Sequence, residues 1–186
     1  MKRLFDLVLC VLLLILALIP MLCIAVLVKL TSEGPVLYWS DRVGQNNRIF
    51  SMPKFRSMKV DTPAVATHLL EDPKSVLTPI GDFLRKSSLD ELPQLWCVLK
   101  GDMSFVGPRP ALYNQHDLIA LRTERGVHVL PVGITGWAQI NGRDELPVPQ
   151  KVELDVEYLH RHSFFFDLYI LWFTLIKVIR SDGVSH

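Results

Sequence analysis

An apolar run from Leu7 to Val28, 22 residues with no charged side chain, constrains this chain more than any other feature. As a helix rising about 1.5 Å per residue, it is long enough to cross a hydrocarbon core of roughly 30 Å. It is longer than the apolar part of a secretory signal, and no small-x-small cleavage site follows it. Basic residues stand on both sides: Lys2 and Arg3 before, and Lys29, Arg42, Arg48, Lys54 and Arg56 after. Lys and Arg mark cytoplasmic flanks, so two basic flanks fit a segment that enters and leaves on one side. Pro20, near its middle, removes a helix hydrogen bond and presses on the carbonyl of Leu16, which supplies a place to bend. Pattern alone leaves two forms open, a kinked span and a re-entrant hairpin.

Beyond Thr31 the sequence reads as a soluble domain, and 186 residues suffice for one compact unit with its own core. The balance of 20 basic against 19 acidic residues gives no field that would draw nucleic acid. The three cysteines have no metal-ligand spacing and read as free thiols in a reducing compartment. Val36 to Trp39 and Ile49 to Met52, separated by Gly44 to Asn47, predict a small β-hairpin. Asp61 to Pro73 reads as loop. Thr78-Pro79 predicts an N-cap with proline at the first helical position, opening a helix through Arg85. Leu92, Leu95, Trp96 and Leu99 predict a helical stripe with Trp96 in the core, ending at Lys100-Gly101. Lys151 to His160 reads as helix. Phe164 to Ile179 is too short for a span and reads as an amphipathic helix, packed in the core or lying in a membrane interface.

The most informative polar stretch is Ser87 to Gln94, where Asp90 and Glu91 precede Pro93. Ser88-x-x-Glu91 satisfies a capping box, which needs no chemistry. The same geometry also serves catalysis: near Arg85 and a helix N-terminus, a carboxylate stays ionised as a nucleophile or a ligand for a hard cation. Cations beside turns, at Lys54, Arg56, Arg85, Arg109 and Arg143, could grip a diphosphate, although exposed Lys and Arg usually need no explanation. Arg109 is the strongest of these, because Pro108 and Pro110 hold its backbone extended and present a rigid guanidinium. Gly133 to Gln139 could bring backbone close to a ligand, and Gln139 is a candidate contact. His116, His128, His160 and His162 lack ligand spacing.

These residues resemble the monotopic phosphoglycosyl transferases, or bacterial sugar transferases, over nearly the whole chain. The resemblance is carried by Lys2-Arg3 and Asp6, the apolar segment with Pro20, Lys54 to Met58, Leu84-Arg85, Ser88 to Gln94, Lys100 to Pro110, Pro131 to Gln139, Asn141 to Arg143 and Gly183 to Ser185. It implies an α+β, mostly helical fold, with a re-entrant membrane helix over 1–30 broken at Pro20 and a cytoplasmic catalytic domain over 31–186, together one functional unit. Ile19 stands where the family often has serine, which leaves the angle of the break open.

The resemblance further implies Asp90 and Glu91 as a catalytic dyad that also binds Mg²⁺, with Asp90 the nucleophile. Substrate contacts would come from Lys54, Arg56, Arg85, Arg109, Gln139 and Arg143. The implied partners are a UDP-sugar, an N-acetylated amino sugar being expected, polyprenyl (undecaprenyl) phosphate and membrane lipids at the inner membrane. A homodimer is compatible with it, and nucleic acid is not a partner. The chain looks like a minimal form without the extra membrane helices of larger relatives. Two other functions fit the residues: a membrane-anchored scaffold whose acids only cap a helix, and a metal-dependent nucleotide-sugar hydrolase.

Overall fold

The computed structural model describes residues 1–63, 72, 75–142 and 146–180. Arg143, most of the expected loop from Asp61 to Pro73 and the closing Gly183-Val184-Ser185 lie outside the described residues. The protein is mostly helical with a few short strands, as expected.

Helix α1 (Lys2–Thr31) runs as one helix with Pro20 inside it, so the proline does not end it. Its last turn is closed by Ser32, whose backbone N–H and hydroxyl both donate to the Val28 carbonyl. Both ends of α1 are seated on the rest of the protein. At its start, Arg3 donates to the carbonyls of Val98 and Leu99, and Cys10 packs in the main core. At its end, Ile24 and Val28 pack with Phe55 and Leu84. Between these anchors Leu16 and Ile19 are 74% and 73% exposed, and no residue from Val11 to Cys23 is buried.

The expected hairpin forms from β1 (Leu37–Val43) and β2 (Ile49–Phe55), antiparallel, with Leu37 opposite Phe55 and Val43 opposite Ile49. Its turn places Asn46 and Asn47 in the left-handed region, which asparagine tolerates better than most residues. β4 (Ala111–Leu112) joins the other edge of β1, while β3 (Ser104–Val106) pairs in parallel with β5 (Gly133–Thr135). The chain leaves β3 at Gly107, where a side chain would stand 2.1 Å from the Pro131 carbonyl oxygen. Only glycine permits that approach.

Helix α2 (Gly81–Lys86) starts later than expected, and Thr78 is not its N-cap. The Thr78 hydroxyl donates instead to the Ser57 carbonyl, and Thr78 and Gly81 close a turn ahead of the helix. A 3₁₀ turn (Leu89–Gln94) then leads into α3 (Leu95–Lys100), which stops at left-handed Gly101 as expected. The switch from three residues per turn to 3.6 shifts the buried face. Leu95, Cys97 and Val98 are buried, and Trp96, expected in the core, is 51% exposed.

Helices α4 (His116–Glu124), α5 (Trp137–Ile140), α6 (Val148–Arg161) and α7 (Phe164–Arg180) complete the fold. α7 is one-sided: Phe166 and Ile170 join the core, while Phe165, Trp172, Leu175 and Val178 are exposed. The three cysteines are free thiols.

Candidate active site

Three elements converge on the two adjacent acids. The 3₁₀ turn carries Asp90 and Glu91 in its first turn, the end of β2 brings Lys54, and the loop between β3 and β4 brings Arg109. Lys54 Nζ donates to Glu91 Oε1 at 2.7 Å, and Arg109 Nη2 donates to the same oxygen at 3.0 Å. The capping box does not form. Ser88 sits in the left-handed region at φ 57 and its side chain caps nothing, while the Glu91 carboxylate turns away to the two cations.

The neighbouring acids have opposite electrostatics. Burial alone would raise the pKa of Glu91, but Lys54 and Arg109 outweigh it and hold the carboxyl well below the usual carboxylate range. Asp90 is buried, and among the described residues nothing donates a hydrogen bond to its carboxylate. Burial pushes its pKa up to about 6; Lys54 opposes that rise, the charge of Glu91 adds to it, and Arg85 and Arg109 oppose it further. Asp90 is therefore not held in the strongly ionised state that helix-terminus reasoning suggests, although it is largely a carboxylate at neutral pH. A buried carboxylate that accepts no hydrogen bond among the described residues and has three cations near it can act as a basic, poorly solvated oxygen nucleophile. The same cations suit an anionic diphosphate.

The remaining expected residues are placed as follows. Arg85 lies on α2 within electrostatic reach of Asp90, with Nη1 against the Met58 sulfur at 3.5 Å. Arg56 is buried and its Nη2 donates to the carbonyl and hydroxyl of Ser32, at 2.9 and 2.8 Å, so it ties the end of α1 to β2. Its described bonds are therefore not to the Glu91 cluster. The strand ends at Phe55, and the alternation that would set Arg56 beside Lys54 ends with it. Gln139 is buried on α5, and among the described residues its amide atoms have no partner.

Among the described residues no three His, Cys, Asp or Glu side chains gather as a metal cage. Two adjacent carboxylates do fit Mg²⁺, which usually completes its shell with substrate phosphates and water.

The bacterial sugar transferase family matches residues 1–181. The chain belongs to that family. It is 42% identical to the sugar transferase EpsL of Bacillus subtilis, over 100% of this chain and 91% of that protein. It is also 42% identical to the UDP-glucose:undecaprenyl-phosphate glucose-1-phosphate transferase of Escherichia coli, covering 95% of this chain and 40% of that one. Identity to the undecaprenyl-phosphate glucose phosphotransferase of Komagataeibacter xylinus is 44%, covering 97% of this chain and 36% of that one. The chain thus spans nearly all of EpsL and about two fifths of the two longer relatives.

Sequence reasoning passed over several residues that brace this sugar transferase site. Arg122 and Asp155 form a buried ion pair between α4 and α6, and Asp167 on α7 accepts from Tyr158 and Lys2. A carboxylate inside an apolar stretch is the signal that could have found Asp167.

Proposed function

We propose that this sugar transferase moves a sugar phosphate from a UDP-sugar, an N-acetylated amino sugar being the expected donor, onto polyprenyl phosphate. The observation that carries the reading is the division of labour between the acids: Glu91 is pinned by Lys54 and Arg109, while Asp90 is buried without a donor. Asp90 attacks the phosphorus bonded to the sugar, a bond from its carboxylate oxygen forms as the bond to UMP breaks, and UMP leaves. An oxygen of polyprenyl phosphate then attacks the same phosphorus and displaces the Asp90 carboxylate, giving a polyprenyl diphosphate-sugar and restoring the enzyme. Lys54, Arg85 and Arg109 orient the diphosphate and stabilise the charge that builds on it. Mg²⁺ held by Asp90 and Glu91 with substrate oxygens would neutralise part of the diphosphate charge.

The test is chemical. Wild type incubated with a donor labelled in its sugar phosphate, with Mg²⁺ and no lipid acceptor, should retain hydroxylamine-sensitive label, and Asp90→Asn should retain none and turn nothing over. Full turnover by Asp90→Asn would overturn the assignment. Normal turnover without any trapped adduct would mean direct attack by the lipid phosphate. Nucleotide-sugar cleavage that proceeds equally without lipid would support the hydrolase. A panel of glucose, galactose and N-acetylated donors identifies the sugar.

The same reading makes the enzyme monotopic on the cytoplasmic face of the inner membrane, with 1–30 re-entrant and 31–186 catalytic. Its support is that both ends of α1 pack on one body while no residue from Val11 to Cys23 between them is buried. A spanning helix would put those ends on opposite faces of the hydrocarbon core, where a body lying on one face could not pack against both. Cysteines placed ahead of Met1 and at exposed Glu33, in a cysteine-free background, should both be labelled only from the cytoplasm. Periplasmic labelling of one of them alone would establish a span.

A further inference from the structure

Arg109 sits between two prolines, and that has a cost for the loop that carries it. Neither Pro108 nor Pro110 has an N–H, so the loop cannot be held by a ladder of its own donors. Its carbonyls are held instead, three in succession. Gly133 N donates to the Pro108 carbonyl at 2.9 Å, Arg122 Nη1 to that of Arg109 at 2.8 Å, and Arg42 Nη1 to that of Pro110 at 3.2 Å. The middle bond is unlike the others, because its donor is buried and charged. Arg122 and Asp155 are 7% and 1% exposed, with Arg122 Nε and Nη2 donating to Asp155 Oδ2 at 2.9 and 2.7 Å. A buried ion pair gains little over apolar packing, since desolvating both charges consumes most of the attraction. Helices α4 and α6 already pack through Leu118 and Val152. What an apolar pair could not supply is a fixed donor to the Arg109 carbonyl.

We infer that Arg122 and Asp155 are positioning residues: Asp155 fixes the Arg122 guanidinium, and Arg122 fixes the Arg109 backbone so that its side chain meets Glu91 and the donor diphosphate. The inference rests on the reading of Arg109 as a diphosphate contact. A displacement of about 1 Å in such a group is enough to cost on the order of a hundredfold in rate. The pair therefore acts on nucleotide-sugar recognition through Arg109 alone, and its loss leaves no mark on the lipid acceptor.

The experiment is a double-mutant cycle in the full-length, membrane-reconstituted enzyme, reading UDP affinity in Mg²⁺ together with KM for donor and acceptor. Arg122→Lys and Asp155→Asn, the latter able to keep one hydrogen bond, should each weaken UDP binding and raise donor KM about tenfold, with acceptor KM unchanged. In an Arg109→Ala background the same substitutions should have almost no further effect on UDP affinity, which is the coupling expected of groups acting in series. A purely structural pair gives the opposite: penalties that add in full to Arg109→Ala, or a loss that falls equally on donor and acceptor. Either result overturns the proposal. Should Asp155→Asn fail to fold, Arg122→Lys carries the cycle alone. If Arg109→Ala itself leaves UDP affinity and donor KM at wild-type values, the diphosphate role of Arg109 has failed, and that is read before the cycle is completed.

Discussion

The protein contains two clusters of charge built on different rules. In the brace formed by Arg122, Asp155, Tyr158, Asp167 and Lys2, each charged group has a hydrogen-bonded partner. Arg122 is spent on Asp155 and the Arg109 carbonyl, and Asp167 accepts from both Tyr158 and Lys2. In the site, Lys54 and Arg109 crowd one oxygen of Glu91, while Asp90 beside them feels Lys54, Arg85 and Arg109 through charge alone. A satisfied cluster rigidifies, because any movement breaks a bond that buried groups cannot replace with water. An unsatisfied one stores reactivity. Lys54, Arg85 and Arg109 all act on Asp90 through charge, an environment that suits the anionic diphosphate of the proposed function.

The comparison is broken most severely at Glu91. Glu91→Gln keeps the shape and removes the charge that Lys54 and Arg109 share, leaving two cations to repel each other. Removing one partner of charge-assisted bonds costs about 1.5–3 kcal/mol per bond, so kcat/KM should fall at least a hundredfold or so. Steady-state kinetics on folded enzyme check this, and a fall of less than tenfold would place Glu91 in the brace class. Next in size is Arg109→Lys, which preserves charge but cannot copy the planar guanidinium that bonds Glu91 and, in the proposed function, also holds the diphosphate. Its expected loss is about ten- to a hundredfold in kcat/KM for the donor. Near wild-type values would make Arg109 a surface charge.

Much of this architecture was legible from pattern, and the exceptions share a cause. The hairpin, the stop at Gly101, α6 and the one-sided α7 follow from alternation, a glycine in the left-handed region and helical periodicity. Thr78, Ser88 and Trp96 were misread because the segment around the dyad is built from turns and a 3₁₀ stretch. A period of 3.6 carried across the 3₁₀ turn puts Leu95 in the core correctly and Trp96 wrongly. The capping reading of Ser88 and Glu91 required an extended Ser88, and its positive φ removes that cap. Cations near the acids were visible as Lys54, Arg85 and Arg109, yet spacing could not separate them from Arg56, which the end of β2 sends to Ser32. Within the buried brace only Asp167, a carboxylate in an apolar stretch, carries a local signal, and the ion pair of Arg122 with Asp155, far apart in sequence, leaves none.

The smallest expected effect is thermodynamic, and it sharpens the contrast between the two acids because their contributions to stability carry opposite signs. The folded pKa of Asp90 is raised from 3.8 to about 6. A raised carboxyl contributes stability fully below its unfolded value and loses it as pH climbs through the folded one, so Asp90 should weaken the fold between about pH 4 and pH 6. Asp90→Asn carries no such charge. In metal-free buffer its stability relative to wild type should therefore rise across that window by about 1–3 kcal/mol and then level off near pH 7. Glu91, lowered by its cations, contributes stability above its unfolded pKa and loses it only as pH falls through the folded value, below the window. The cost of Glu91→Gln should accordingly change between about pH 5 and pH 7 only through Asp90, whose pKa falls when the neighbouring Glu91 charge is removed. Denaturant titrations of both variants in mild detergent, run at several pH values, measure the two slopes. A flat profile for Asp90→Asn would show that Lys54, Arg85 and Arg109 cancel the effect of burial, and a falling one would show that they exceed it. In either case Asp90 would be as well paired as Glu91, and the contrast between a satisfied and an unsatisfied acid would have to be abandoned.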